Sequence, residues 1–162
     1  IAQLTAVENV MGWAYADELY GDAGANVLRG GAGNDIIQGR GGNDEYVFNS
    51  GDGQDTLTDS SGAEVIRLGA GITAASLSFA YVGSPADDLE ITLSGGAGKI
   101  TIVDHNKTSG ATPVEKIIFA DSSELLLAKT ETGSSGNDTM TGAGGNDAGH
   151  PRGAQCRHQR GA

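Results

Sequence analysis

The sequence predicts an all-β fold, a parallel β-roll of nine-residue turns capped by a small antiparallel β-sheet. Three observations carry this expectation. Glycine recurs every nine residues, with aspartate or asparagine five places later and a large apolar residue two places beyond that. The 162-residue chain holds 27 glycines and only 5% aromatic residues, which suits a turn-rich chain and disfavours helix bundles and large aromatic cores. From Gly71 onward the ninefold period gives way to apolar/polar alternation, the period of a half-buried strand.

The repeat runs without a gap from Gly12 through GWAYADELY, GDAGANVLR, GGAGNDIIQ and GRGGNDEYV. Its first position is Gly12, Gly21, Gly30 and Gly39; its sixth is Asp17, Asn26, Asp35 and Asp44; its eighth is Leu19, Leu28, Ile37 and Tyr46. After a slip at Phe48 and Asn49, SGDGQDTLT and DSSGAEVIR resume the phase, with Asp55 and Glu64 at the sixth position. Asp52, Asp59 and Glu64 are expected as exposed carboxylates on degenerate turns. Far downstream, GSSGNDTMT and GAGGNDAGH reopen the pattern with Asp138 and Asp147.

Glycine tolerates the positive φ of a tight turn, so each unit is read as a turn followed by a short strand. Two units close one coil of eighteen residues, and stacked coils pair their strands in parallel. Turns two units apart then share an edge, with Asp17 against Asp35 and Asn26 against Asp44. Each edge becomes a column of oxygens. A solvated linker is the competing expectation, but a linker needs no apolar residue two places after each acid.

In the second segment, SLSFAYV, DLEITLS, KITIVDH and EKIIFAD read as four short strands, partly paired as hairpins, that cover the open end of the roll. The expected organisation is residues 1–70 as roll, 71–131 as cap, 132–149 as a second, truncated repeat block, and 150–162 as a disordered basic tail. Trp13 and Tyr15 are expected to seal the first coil, and His105 to sit exposed on a turn.

Charge narrows the function. Residues 1–149 hold seven basic residues against all 21 acidic ones, a net −14 that repels nucleic acid and anionic membranes and attracts cations. Cys156 is the sole cysteine, so no intrachain disulfide staples the fold, and no apolar run has the length of a membrane span. No H-E-x-x-H, G-x-S-x-G or phosphate-loop pattern is present, so a non-catalytic role is expected.

One reliable apolar side chain per nine residues returns far less free energy than ordering that unit costs, and stacked carboxylates add repulsion. Bound cations reverse that sign. The candidate ligands are the side chains of Asp17, Asn26, Asp35, Asp44, Asp55, Asp138 and Asp147. The turn residues Gly24, Gly30, Gly31, Ala32, Gly33, Gly39 and Gly42 add backbone carbonyls. These are hard, flexibly disposed oxygens, which suit several calcium ions better than magnesium, while the histidines and Cys156 lack zinc-ligand spacing. The Asn26 edge carries less charge and is expected to bind more weakly.

The nonapeptide resembles the repeat-in-toxin family (haemolysin-type calcium-binding repeats). Gly30, Gly31, Gly33, Asp35 and Ile37 carry its full consensus, and Arg40 stands where the next unit has its second glycine. The phrases GDGQDTLTD, EVIRLGAGI, DLEITL and VEKIIFAD resemble the haemolysin-related segment that follows such repeats. The resemblance implies a calcium-binding module of a secreted, extracellular bacterial protein, exported by a type I apparatus. It also implies an alternative, a polysaccharide-binding accessory module like that of mannuronan epimerases. Such a module needs an exposed basic and aromatic face, for which Arg29, Arg40 and Tyr20 are candidates.

Overall fold

The computed structural model describes residues 8–84, 87–105 and 114–127. Seven short strands come first: β1 (Asn9–Met11), β2 (Glu18–Tyr20), β3 (Val27–Arg29), β4 (Ile36–Arg40), β5 (Glu45–Phe48), β6 (Gln54–Asp59) and β7 (Val65–Leu68). They alternate between two sheets, odd strands in one and even strands in the other, and every pairing among them is parallel. The register places Leu19 opposite Ile37, Ile37 opposite Leu57, Leu28 opposite Tyr46, and Tyr46 opposite Ile66. Eighth-position side chains therefore stack coil upon coil, and all six are buried in one apolar cluster.

Strand β1 precedes the first glycine unit. Val10 pairs with Leu28, so Glu8 and Val10 continue the sixth and eighth columns one unit earlier, without the glycine that would have marked them. Trp13 and Tyr15 do not seal the first coil: they are 81% and 80% exposed. Nothing described lies beneath that coil to pack against them.

The second segment supplies β8 (Leu77–Val82), β9 (Asp88–Leu93), β10 (Gly98–Ile102), β11 (Lys116–Ile118) and β12 (Glu124–Leu126). Antiparallel pairing of the expected strands occurs, β8 with β9 and β9 with β10, and β11 pairs with β12, a fifth strand beyond the four expected, but they do not form one separate sheet. β10 adds to β6 in parallel and β11 adds to β7 in parallel, so each sheet is extended by its own strands. Continuation of this kind satisfies the open N–H and C=O groups of both β6 and β7. It also carries the core onward through Ile100 and Ile117. His105 is buried rather than exposed, its ring stacked on Tyr81 at 6.4 Å.

The turns stack as closely as the strands. Gly42 has φ 117°, and a β-carbon there would run into the Gly24 carbonyl one coil below, whereas Gly51, with φ 90°, faces open space. Gly51→Ala is expected to lose about 1–2 kcal/mol from left-handed strain alone. Gly42→Ala should add about 1–3 kcal/mol of overpacking. Denaturant unfolding at saturating calcium measures both, and equal losses would contradict the stacked turns.

Candidate metal centre

Apart from Asp55, which is the second residue of β6, each sixth-position residue is the last before its strand, where its N–H points at the next coil but the parallel ladder has not begun. A carboxylate one coil on fills that gap. The Asp17 N–H donates to Asp35 Oδ1 at 2.9 Å, and the Asp35 N–H to Asp55 Oδ1 at 2.9 Å. On the other edge the Asn26 N–H donates to Asp44 Oδ1 at 2.8 Å, and the Glu64 N–H to Glu115 Oε2 at 2.6 Å. Glu115 precedes β11 and takes the place of a sixth-position acid in the second segment. Its only sequence signal is the apolar Ile117 two places later.

This geometry turns the acids inward. Asp35 and Asp44 are each 1% exposed, and Asn26, Asp55 and Glu64 are also buried. Asp52 and Asp59 are buried as well, so the expectation of exposed carboxylates at Asp52, Asp59 and Glu64 is corrected. Asp52 is held because the Asn49 N–H donates to its Oδ2 at 2.7 Å. Arg67, Lys99 and Lys116 pair with Glu45, Glu90 and Glu124, none of which is a sixth-position acid.

The first glycine of each unit makes room for this arrangement. A β-carbon on Gly12 would stand 2.6 Å from Asp17 Oδ2, and one on Gly30 or Gly39 would overlap the carboxylate of Asp35 or Asp44. The other turn residues carry the stacking. Gly31 lies against the Trp13 carbonyl, which accepts the Ala32 N–H at 3.0 Å. Gly33 approaches the Tyr15 carbonyl and donates its N–H to the Asp52 carbonyl at 2.7 Å, and Gly42 donates to the Ser61 carbonyl at 2.9 Å. The Gly24 carbonyl lies where a β-carbon on Gly42 would stand. Asp138 and Asp147 lie outside the described residues.

The residues fit a hard cation. Asp35 Oδ2 and Asp44 Oδ2 are buried without a hydrogen-bond partner, a costly state for an ionised oxygen unless a positive charge meets it. Among the described residues no three Asp, Glu, His or Cys side chains gather as a metal cluster, so an ion here draws further ligands from turn carbonyls. Mixed carboxylate and carbonyl oxygen is calcium chemistry. Of the polysaccharide candidates, Arg40 stacks over Tyr20 at 5.4 Å, but Arg29 belongs to the other sheet.

Residues 14–46, 47–72 and 132–148 match the family of the RTX calcium-binding nonapeptide repeat. Residues 88–129 match the haemolysin-type calcium binding protein related domain. The chain thus carries repeats of the RTX haemolysin-type family, and Ca2+ is the ion those repeats bind. No curated protein matches the chain significantly.

Burial raises Asp44 to about 6 and Asp55 to about 7, although each also accepts a backbone N–H, which acts the other way. A carboxyl raised in the fold stabilises it only while protonated. The metal-free fold therefore has this contribution in full below about pH 4 and loses it as pH climbs through about 6 and 7. Calcium must displace the same protons, so its affinity should fall as pH drops from about 7.5 to about 5.5. Calcium calorimetry at both pH values tests this, and an unchanged Kd would contradict buried, protonatable ligands.

Proposed function

We propose that this chain is a non-catalytic calcium module of a secreted bacterial protein, which folds as calcium binds and thereby supports the export and stability of its parent. In this proposal residues 1–70 close as a parallel β-roll, 71–131 cap it, 132–149 form a second repeat block and 150–162 are a tail. Ions lie along both turn edges, held by Asp17, Asn26, Asp35, Asp44 and Asp55 with carbonyls from the glycine turns. The observation that carries it is the pair of buried, partnerless oxygens on Asp35 and Asp44, one on each edge.

Secretion is consistent with the habit of RTX repeat proteins, and no described helix is long and apolar enough to cross a membrane. The physical logic is a difference in calcium between compartments. Where calcium is scarce the buried acids hold the coils open, and the loose chain can be threaded by a type I apparatus. Outside the cell, modules of this kind bind calcium at roughly 10⁻⁴–10⁻³ M.

Circular dichroism and calorimetry during a calcium titration test the proposal. Strand signal is expected to appear together with heat of binding. Each site should add about 2.7 kcal/mol of stability at one hundred times its Kd. A thoroughly chelated chain that keeps its full strand signal and melting temperature would overturn folding on binding, and an equal response to magnesium would overturn the selectivity.

A second reading, polysaccharide binding, is favoured by the exposure of Trp13 and Tyr15, since solvent-facing rings can stack on sugars. Alginate titration at saturating calcium is expected to show binding that Trp13→Ala weakens. Absence of binding leaves the calcium role alone.

A further inference from the structure

Asp59 breaks the repeat. It ends β6 at the position where the units beginning at Gly12, Gly21, Gly30 and Gly39 carry their first glycine. A side chain there cannot avoid the interior, and that of Asp59 is buried. Its Oδ1 accepts the Ser61 N–H at 3.0 Å, and its Oδ2 accepts the hydroxyl of Tyr46. Tyr46 is itself exceptional, because the other five eighth-position residues from Leu19 to Ile66 are leucine or isoleucine.

These two departures meet a third group. A β-carbon on Gly39 would overlap Tyr46 Oη, Asp59 Oδ2 and Asp44 Oδ2 together, so three oxygens converge over one α-carbon. Asp44 Oδ2 is the buried oxygen that has no hydrogen-bond partner, and Asp44 is 1% exposed. Neighbouring Arg40 does not neutralise the group from inside, since it is exposed and lies over the Tyr20 ring. Two carboxylates and one neutral phenol therefore face each other in a space shielded from water. That is the donor set of a hard divalent cation.

We propose that Asp44, Asp59 and the Tyr46 hydroxyl form an ion site that the nonapeptide pattern does not specify. Asp59 adds a second carboxylate to the calcium held by Asp44, and Tyr46 adds a neutral oxygen. The inference rests on the reading above that Asp44 takes calcium. An ordinary position on this edge lacks the extra carboxylate, so this site binds most tightly and fills first.

The test uses the full chain with calcium calorimetry and with terbium luminescence excited through tyrosine. The wild type is expected to show one ion bound about tenfold or more tightly than the rest, the scale on which ligand charge tunes calcium sites. Asp59→Gly restores the repeat's own residue, while Asp59→Asn keeps the shape and the acceptor for Tyr46 but removes the charge. Both should lose the tight step and leave the weaker sites unchanged. Tyr46→Phe should reduce the terbium emission, against a background from Trp13 and the other tyrosines that stays constant.

Should Asp59→Gly fail to fold at saturating calcium, Asp59→Asn decides. A tight step that survives in Asp59→Asn, or a wild type with one uniform class of sites, overturns the proposal and leaves Asp44 and Asp59 as a proton-sharing pair. A wild type that binds no calcium at all overturns the earlier reading instead.

Discussion

The structure depends on one contact repeated along two edges: the N–H before β2, β3, β4 and β7 is given to a carboxylate one coil further on. That contact fixes where the acid must lie, and the acid's position fixes the glycine beside it. Asp35 can accept the Asp17 N–H only if its carboxylate turns inward, which places it where a side chain on Gly30 would stand. The sixth and first columns are thus one constraint seen twice. The apolar eighth column is a separate constraint, set by the parallel register of the two sheets.

The same contact creates the charge problem. One carboxylate oxygen is used by the backbone, and the other is carried into the interior with it. On Asp35 and Asp44 that second oxygen has no hydrogen-bond partner, and burial raises Asp44 and Asp55 toward the protonated form. Among the described residues, Arg67, Lys99 and Lys116 do not resolve it, because their ion pairs are with the partly exposed Glu45, Glu90 and Glu124. Such half-exposed pairs contribute little. The interior needs either protons or cations, and at neutral pH calcium is the stronger candidate.

The repeat made the coil period, the alternate sheets and the two acid columns legible, because each follows from residues recurring at a fixed spacing. What it could not show lay where the spacing or the chemistry lapsed. Strand β1 and Glu115 continue the columns without glycine, so only an acid two places before an apolar residue marked them. Four of the five later strands, β8 to β11, were readable from alternation, but alternation does not say which sheet a strand joins. β10 and β11 take the open edges of β6 and β7, where they pair with free backbone groups and set Ile102 and Ile117 against Leu57 and Ile66. Trp13 and Tyr15 depart from the expectation that large aromatics are covered because they stand at the end of the described stack.

Departures from the repeat are then informative according to where they fall. At the first coil, Tyr15 replaces the fourth glycine without any described coil beneath it to obstruct, so the position tolerates bulk. Inside the stack the same freedom does not exist: Gly33 and Gly42 press on carbonyls of the preceding coil. A non-glycine residue admitted to the interior must therefore be compatible with its neighbours, and Asp59 is so only because Tyr46 offers it a hydroxyl. Tyrosine in an apolar column and aspartate in a glycine column would each be costly alone, one leaving a buried hydroxyl unsatisfied and the other a buried charge. Together they satisfy one hydrogen bond and leave one negative charge in excess beside Asp44. The place where both departures fall thus carries an added electrostatic demand for a cation.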